Sequence, residues 1–250
     1  MLVKEKIYTI PVLDAFQTES ECPFCTLYNT LEQNSINFTL GPSYMENDVR
    51  IETNKKGFCL PHYQMMSKEK NSLGLALMLH THMIHVHKNL NELLKKQKPN
   101  KKSSFPSLFS KKGNTGVTEN LVEQYLHEIH NSCYICEQIQ NTFDRYVDTF
   151  FYLWKKDKSF IDLVKKCNGF CLQHFGVLYS AAPNFLNQIQ LSDFYECIIP
   201  LQLENLKRIE EELDWFIKKF DYRYEKEPWK NSKDALPRGI LKMAGSSKKV

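Results

Sequence analysis

Eight residues of metal-binding types occur in this sequence as four short pairs. ECPFC and SCYIC each contain a Cys-x-x-Cys pair, and GFCLPH and GFCLQH each contain a Cys-x-x-His pair. The eight residues are Cys22, Cys25, Cys59, His62, Cys133, Cys136, Cys171 and His174. Three thiolates and one imidazole make a closed tetrahedral set for structural zinc. The pattern therefore predicts two Cys₃His sites, which would hold two zinc ions per chain.

The order of the pairs indicates an internal duplication. A Cys-x-x-Cys pair precedes a Cys-x-x-His pair in each half, with 33 residues between them in the first half and 34 in the second. We therefore expect ECPFC to meet GFCLPH, and SCYIC to meet GFCLQH. The sulfur atoms of one site should lie about 3.5–4 Å apart, because Zn–S bonds are about 2.3 Å long.

Two other chemistries fit part of the pattern. Iron–sulfur clusters also bind cysteine-rich sets, although their usual ligands are four cysteines. Cys22 and Cys25 enclose a CPxC motif similar to that of glutaredoxin-type proteins, but the second pair lacks the proline and no strand precedes either pair. An iron–sulfur cluster and a redox dithiol therefore remain alternatives to zinc. Cys167 and Cys197 match no partner and are expected to be small buried hydrophobic residues outside both sites.

The segments around the ligands carry helical signals. Strand patterns are rare, whereas residues 72–95 and 193–223 have apolar side chains at helical spacing. Gly57 and Gly169 fit the left-handed position that ends a helix, so a new helix should begin two residues after each. We predict an all-α protein of two duplicated helical lobes, each closed by one Cys₃His site.

Composition divides the chain into four parts. Residues 1–95 and 119–225 are the two predicted lobes, and 96–118 is a predicted flexible linker in which Lys, Ser, Pro and Gly replace the apolar period. The tail, 226–250, has no evident helical period. It carries Trp229 and several aliphatic residues, so part of it is expected to dock on the rest of the chain.

Four histidines in LHTHMIHVH invite a metal-site interpretation, but helical geometry places them on two faces. His80 and His87 fall in the predicted apolar sector, while the other two fall on the polar side and should lie at the surface. We therefore expect His80 and His87 to be core residues rather than ligands of a shared ion.

A second group of polar residues follows Gly41-Pro42. Ser43 and Glu46 fit a capping box that begins a helix over about 44–55. Asp48 is expected to be a charge at that helix N-terminus, and Arg50 to pair with a nearby carboxylate.

The composition bounds the classes of function. The 250 residues are 42% hydrophobic with a net charge of +4, and the lysines gather in the linker and the tail, so no nucleic-acid partner is expected. The N-terminus lacks the apolar region of a signal peptide, and no run approaches the ~18 apolar residues of a membrane span. We therefore predict a cytoplasmic protein without membrane contact. No triad, P-loop or dinucleotide motif predicts an enzyme.

The string of motifs resembles a known family. IPVLDAF, ECPFC, LGPSYMENDVR, GFCLPH and NSLGLALMLHTH occur in this order, followed by GFCLQH and WKNSKDALPRGI. Together they are similar to a bacterial domain-of-unknown-function family, number 6062 in that series, which implies a helical fold with paired Cys/His motifs and no known substrate. We predict a zinc-stabilised helical binding or adaptor protein with a protein or small-molecule partner. An iron–sulfur or dithiol protein for redox or metal handling is the alternative.

Overall fold

The computed structural model describes residues 2–96 and 120–246 of the chain. Over these residues the protein contains eleven α-helices, two short 3₁₀ helices and no strand, which confirms the all-α class. The helices are α1 (Leu2–Gln17), α2 (Pro23–Leu40), α3 (Asn47–Lys56), α4 (Leu60–Met66), α5 (Ser72–Lys96), α6 (Leu121–Asn131), α7 (Tyr134–Lys156), α8 (Lys158–Lys166), α9 (Leu172–Phe185), α10 (Gln188–Lys218) and α11 (Ala235–Ala244). Apart from its first residue, the predicted linker at 96–118 lies outside the described residues.

The described residues form two compact units that do not follow the halves of the sequence. The first unit comprises the residues up to Gln33 and those from Ile139 onward, and the second comprises those between Asn34 and Gln138. The boundaries fall inside α2 and α7. This division differs from the predicted lobes at 1–95 and 119–225, because each predicted lobe contributes helices to both units.

Phenylalanine side chains build the core of the first unit. Eight of them are buried: Phe16, Phe24, Phe143, Phe150, Phe151, Phe160, Phe170 and Phe194. Their rings meet edge to face, as at Phe16 and Phe160, whose centroids are 5.1 Å apart. Burial of one such side chain contributes about 1.5–3 kcal/mol to folding. Because Phe24 lies between Cys22 and Cys25, and Phe170 precedes Cys171, this core also anchors two of the ligand pairs.

The second unit is held by packing of α3 and α6 against α5. Its buried apolar side chains include Ile36, Leu40, Val49, Met66 and Met78. The Arg50 guanidinium on α3 donates to the Leu77 carbonyl at 3.2 Å and to the Thr81 hydroxyl at 2.8 Å, both on α5. The predicted pairing of Arg50 with a carboxylate is therefore wrong, since the guanidinium meets a carbonyl and a hydroxyl of α5 instead.

Helix boundaries around the predicted glycine signals agree with the sequence. Gly57 and Gly169 have φ angles of 58° and 75°, in the left-handed region that glycine tolerates best. Helices α4 and α9 begin directly after Cys59 and Cys171, as predicted. The predicted capping box is wrong, because Ser43 belongs to a 3₁₀ helix (Pro42–Met45) and its hydroxyl donates to the Phe38 carbonyl.

The histidines of α5 occupy faces opposite to those predicted. His80 and His87 are exposed, whereas His82 and His85 are half-buried. The reason is that α5 turns Gly74 and Met78, its buried residues, inward, and leaves Leu73, Met83 and Leu94 of the predicted apolar sector exposed. The Nδ1 atom of His82 lies 2.8 Å from the Asn54 carbonyl oxygen on α3.

The tail forms a helix, α11, that the sequence did not predict. It packs on α9 and α10 within the first unit, with Ala235 and Lys242 buried. Gly239 allows this close approach, because a Cβ atom there would lie 2.9 Å from the Leu213 Cδ1 atom. Part of the tail is thus docked.

Two candidate metal centres

The eight residues singled out from the sequence lie in two groups, each with three cysteines and one histidine. Within each group the potential ligand atoms all lie within 4.8 Å of one another. The first group, named the buried site, consists of Cys22, Cys25, Cys171 and His174. The second group, named the open site, consists of Cys59, His62, Cys133 and Cys136.

The partners within each site are exchanged relative to the prediction. ECPFC meets GFCLQH at the buried site, and SCYIC meets GFCLPH at the open site. The predicted pairing within each half is wrong. The two Cys-x-x-Cys pairs offer the same donors as each other, and so do the two Cys-x-x-His pairs, so the ligand chemistry does not decide which of them meet and the packing behind the ligands does. Phe24 and Phe170 pack with centroids 6.1 Å apart in the first unit. The Tyr134 amide donates to the Gly57 carbonyl at 3.0 Å in the second.

Every pair occupies the same place on its helix. The first ligand directly precedes α2, α4, α7 or α9, and the second ligand is the third residue of that helix. Two helix N-termini therefore meet at each site. Their unpaired N–H groups and macrodipoles favour thiolates. The amide N–H of His174 accordingly points at the Cys171 sulfur at 3.4 Å, and that of Cys136 at the Cys133 sulfur at 3.5 Å.

The buried site is compact and closed to solvent. The Nδ1 atom of His174 lies 3.4 Å from the sulfurs of Cys22 and Cys25 and 3.3 Å from that of Cys171. The sulfurs of Cys25 and Cys171 are 3.6 Å apart. None of the four residues is more than 2% exposed. The Phe143 ring stacks on the imidazole with centroids 5.2 Å apart, and the buried Nε2 atom has no hydrogen-bond partner among the described residues.

Polar side chains from α10 and α11 tie together the two ligand segments of the buried site. The ammonium group of Lys242 donates to the carbonyl of Glu21, next to Cys22, at 2.6 Å. It also donates to the carbonyl of Asn168, in the segment that leads to the second ligand pair. The buried Gln202 amide exchanges two hydrogen bonds with the Phe170 backbone, of 2.9 and 3.0 Å. One tail residue thus bridges both ligand segments.

The Glu21 carboxylate extends this network as an anion among three cations. It pairs with Arg208 at 2.6 Å, with Lys242 at 3.1 Å and with Arg238 at 3.4 Å. Burial acts to raise the pKa of Glu21, but the hydrogen bond from Arg208 and the charge of Lys242 outweigh burial and lower it. Glu21 is therefore ionised at neutral pH and offsets the charge of the buried ammonium group.

The open site has the same donors with different surroundings. The Nδ1 atom of His62 lies 3.1 Å from the Cys59 sulfur, 3.2 Å from that of Cys133 and 3.5 Å from that of Cys136. The sulfurs of Cys59 and Cys136 are 3.8 Å apart. Both of these cysteines are partly exposed, whereas His62 and Cys133 are buried.

Within each site the pKa values of two cysteine thiols shift in opposite directions. Burial and hydrogen bonds with the neighbouring thiols raise the pKa of Cys22, while hydrogen bonds with neighbouring thiols hold the pKa of Cys25 well below its usual range. Similar hydrogen bonds lower the pKa of Cys59 and raise that of Cys136. Burial acts to lower the pKa of His174, but hydrogen bonds with thiols outweigh burial and raise this pKa to about 9. A metal cation would replace these protons and ionise all three thiols of a site.

Cys167 and Cys197 belong to neither group. Both are half-buried, and burial raises the pKa of the Cys167 thiol to about 11.

Lys242 and Gln202 support the buried site, yet no sequence signal marked either residue, because their partners are backbone carbonyl and amide groups far away in the chain.

Comparison with known proteins places the whole chain in one group. A family model described as a family of unknown function, DUF6062, matches residues 3–250. No curated protein and no solved structure matches the chain. Among the described residues, no helix has the length and apolar character needed to cross a membrane.

Proposed function

Because the chain belongs to the family DUF6062, whose function is unknown, we propose a function from its own geometry: it is a zinc-stabilised helical binding protein with two structural metal sites. The observation that carries the proposal is the mutual distance of the donors. Three sulfurs and one Nδ1 atom lie within 4.8 Å of one another, twice in one chain. All four donors of a group can therefore bind a single ion.

The distances favour one zinc ion over a cluster. A tetrahedral ion with Zn–S bonds of about 2.3 Å sets its sulfur ligands about 3.8 Å apart. The sulfur pairs measure 3.6 Å at the buried site and 3.8 Å at the open site. In an iron–sulfur cluster the ligands are shared among different irons and lie further apart. Four protein ligands also leave no open position for a substrate, which is typical of structural zinc.

An exposed apolar face of α11 supports the binding role. Leu236, Ile240 and Met243 recur at helical spacing and are 50%, 58% and 64% exposed, while Ala235 and Lys242 are buried. Exposed apolar side chains on one face of a helix are typical of sites where a partner helix or groove docks. We place the partner-binding surface of the protein on this face.

Elemental analysis and an absorption spectrum of protein purified without oxygen test the metal assignment. We expect colourless protein with about two zinc ions per chain, one for each set of four ligands. Replacement of zinc by cobalt should give visible absorption bands typical of a tetrahedral thiolate site. Brown protein that contains iron and absorbs visible light before any replacement would refute the zinc assignment.

A pair of surface variants tests the binding role. Ile240→Asp places a charge in the α11 face, where Ile240 is 58% exposed. Ile189→Asp places one outside that face, at an even more exposed position on α10, where Ile189 is 77% exposed. We compare the proteins that co-purify with each variant from its native cells by quantitative mass spectrometry. We expect a defined set of proteins to be lost with Ile240→Asp and retained with Ile189→Asp. If both variants retain the same proteins as wild type, the α11 face does not bind partners.

A further inference from the structure

The two sites offer a comparison within one molecule, because they share donors and differ in access. All three sulfurs of the buried site belong to buried residues. At the open site, Cys59 and Cys136 are partly exposed. These two are also the residues whose sulfurs are 3.8 Å apart. Solvent can thus reach two neighbouring cysteines at the open site, whereas it reaches no cysteine of the buried site.

The surroundings reinforce this difference. Aromatic rings shield the buried site, where Phe24 and Phe143 lie 5.9 and 5.2 Å from the His174 ring. The open site is bordered by charged groups, since Glu137 follows Cys136 and pairs with Lys56 at 2.6 Å. The Glu137 side chain is 47% exposed. Solvated charges of this kind leave a small polar molecule a path to the open site.

We propose that the open site is a redox-reactive centre, at which hydrogen peroxide oxidises Cys59 and Cys136 to a disulfide and releases the metal. The inference rests on the proposed function, because zinc does not change its oxidation state and the sulfurs must therefore supply the electrons. The buried site keeps its metal under the same conditions. The chain thus carries one permanent metal and one that an oxidant removes.

The reaction has two steps that balance. The Cys136 thiolate attacks one oxygen of the peroxide, the O–O bond breaks, and hydroxide leaves as a sulfenic acid forms. The Cys59 thiolate then attacks that sulfur, the S–O bond breaks, and a second hydroxide leaves. Two thiolates have lost two electrons in total, and the peroxide has gained them. The two sulfurs must approach from 3.8 Å to about 2.05 Å to form this bond.

Loss of these two ligands leaves only His62 and Cys133, which is too few for a stable zinc site. A dithiol reductant reverses the change, since its thiolate attacks the disulfide and regenerates both cysteines. Added zinc then restores the site.

The experiment uses full-length protein that contains two zinc ions, treated with hydrogen peroxide in the presence of a chromogenic zinc chelator. We expect one zinc ion per chain to be released at least about tenfold faster than the other. Peroxide can reach the cysteines of the buried site only after a local opening, and an opening that costs about 1.4 kcal/mol already slows its attack tenfold. Mass spectrometry of the product should identify a disulfide between Cys59 and Cys136. Dithiothreitol followed by zinc should restore two ions per chain.

Two single-site variants assign the released ion. Cys171→Ser retains only the open site and should still release its ion, while Cys59→Ser retains only the buried site and should not. Where a variant does not fold, differential alkylation of the wild type gives the same assignment, with Cys136 modified before Cys25. Equal release of both ions, or retention of both, overturns the redox inference while the two zinc ions still support the proposed function. Protein that holds no zinc overturns both.

Discussion

Exchange of partners between the halves makes a sharp prediction for double variants. Cys25→Ser with Cys59→Ser removes one ligand from each site, whereas Cys25→Ser with Cys171→Ser removes two ligands from the buried site alone. We expect the first protein to contain no tightly bound zinc and the second to contain one ion per chain. Pairing within each half predicts the reverse order for these two variants.

The magnitude follows from the ligand count. Structural zinc sites in small peptides contribute an apparent 10–16 kcal/mol at pH 7, and much of that binding free energy is folding free energy. Loss of one of four ligands therefore destabilises the unit that holds the site by several kcal/mol. The assay is zinc content after dialysis against a chelator, with circular dichroism to follow helix content and thermal unfolding to follow stability.

The control is Cys167→Ser with Cys197→Ser, which removes two thiols outside both sites and should retain two zinc ions. Retention of one zinc ion by the Cys25, Cys59 double variant would refute the exchanged pairing. Full zinc content with unchanged melting in either double variant would show that these residues do not hold the metal.

Three further predictions concern residues around the sites. Lys242→Met removes the donor to the Glu21 and Asn168 carbonyls and should destabilise the protein by about 1–3 kcal/mol in urea unfolding, with faster zinc loss from the buried site, unlike the exposed control Lys218→Met. Gly57→Ala would hold an alanine at the left-handed φ of 58° and place its Cβ atom 2.5 Å from the His82 ring, so the variant should lose about 1–3 kcal/mol of folding stability. The control Gly176→Ala adds a Cβ atom with nothing within 4 Å and should lose less stability. The pKa of Glu21 is lowered, so the ionised carboxylate contributes its full stabilisation above the ordinary pKa of 4.5 and loses it as pH falls through the lowered pKa. The difference in free energy of unfolding between wild type and Glu21→Gln should therefore shrink over that pH range.

Each of these predictions has a contrary result. An unchanged chelation rate in Lys242→Met would show that the bridge between ligand segments is unimportant for metal retention. Equal stability of the two glycine variants would remove the argument from backbone conformation at Gly57. A stability difference for Glu21→Gln that is independent of pH would show that the carboxylate charge plays no part.

Features set by neighbouring residues were predictable from the sequence, whereas the contacts between ligand pairs far apart in the chain were not. The ligand types, the helix starts after Cys59 and Cys171, and the left-handed glycines follow from a few neighbouring residues. The pairing of the sites depends on packing around Phe24 and Phe170, which no local signal reports.

The errors on α5 and in the tail have a similar cause. On α5, apolar residues occur on both sides of the helix, so periodicity alone chose the face with His80 instead of the face with Met78. Helix α11 was not predicted because Pro237 and Gly239 are residues that usually interrupt helices. In the structure, however, Pro237 lies in the first helical turn, where proline is tolerated, and Gly239 allows close packing on α10.

The exchanged pairing also sets the order in which the sites can form during synthesis. The ligands of the open site are 71–77 residues apart across its two pairs, and those of the buried site are 146–152 apart, so one loop is nested inside the other. All ligands of the open site have left the ribosome once Cys136 has emerged, while the buried site waits for His174. Closing the inner loop first shortens the effective length of the outer one, and long loops cost more entropy to close. Nascent chains stalled with residues up to 165 exposed should accordingly bind one zinc ion, at the open site.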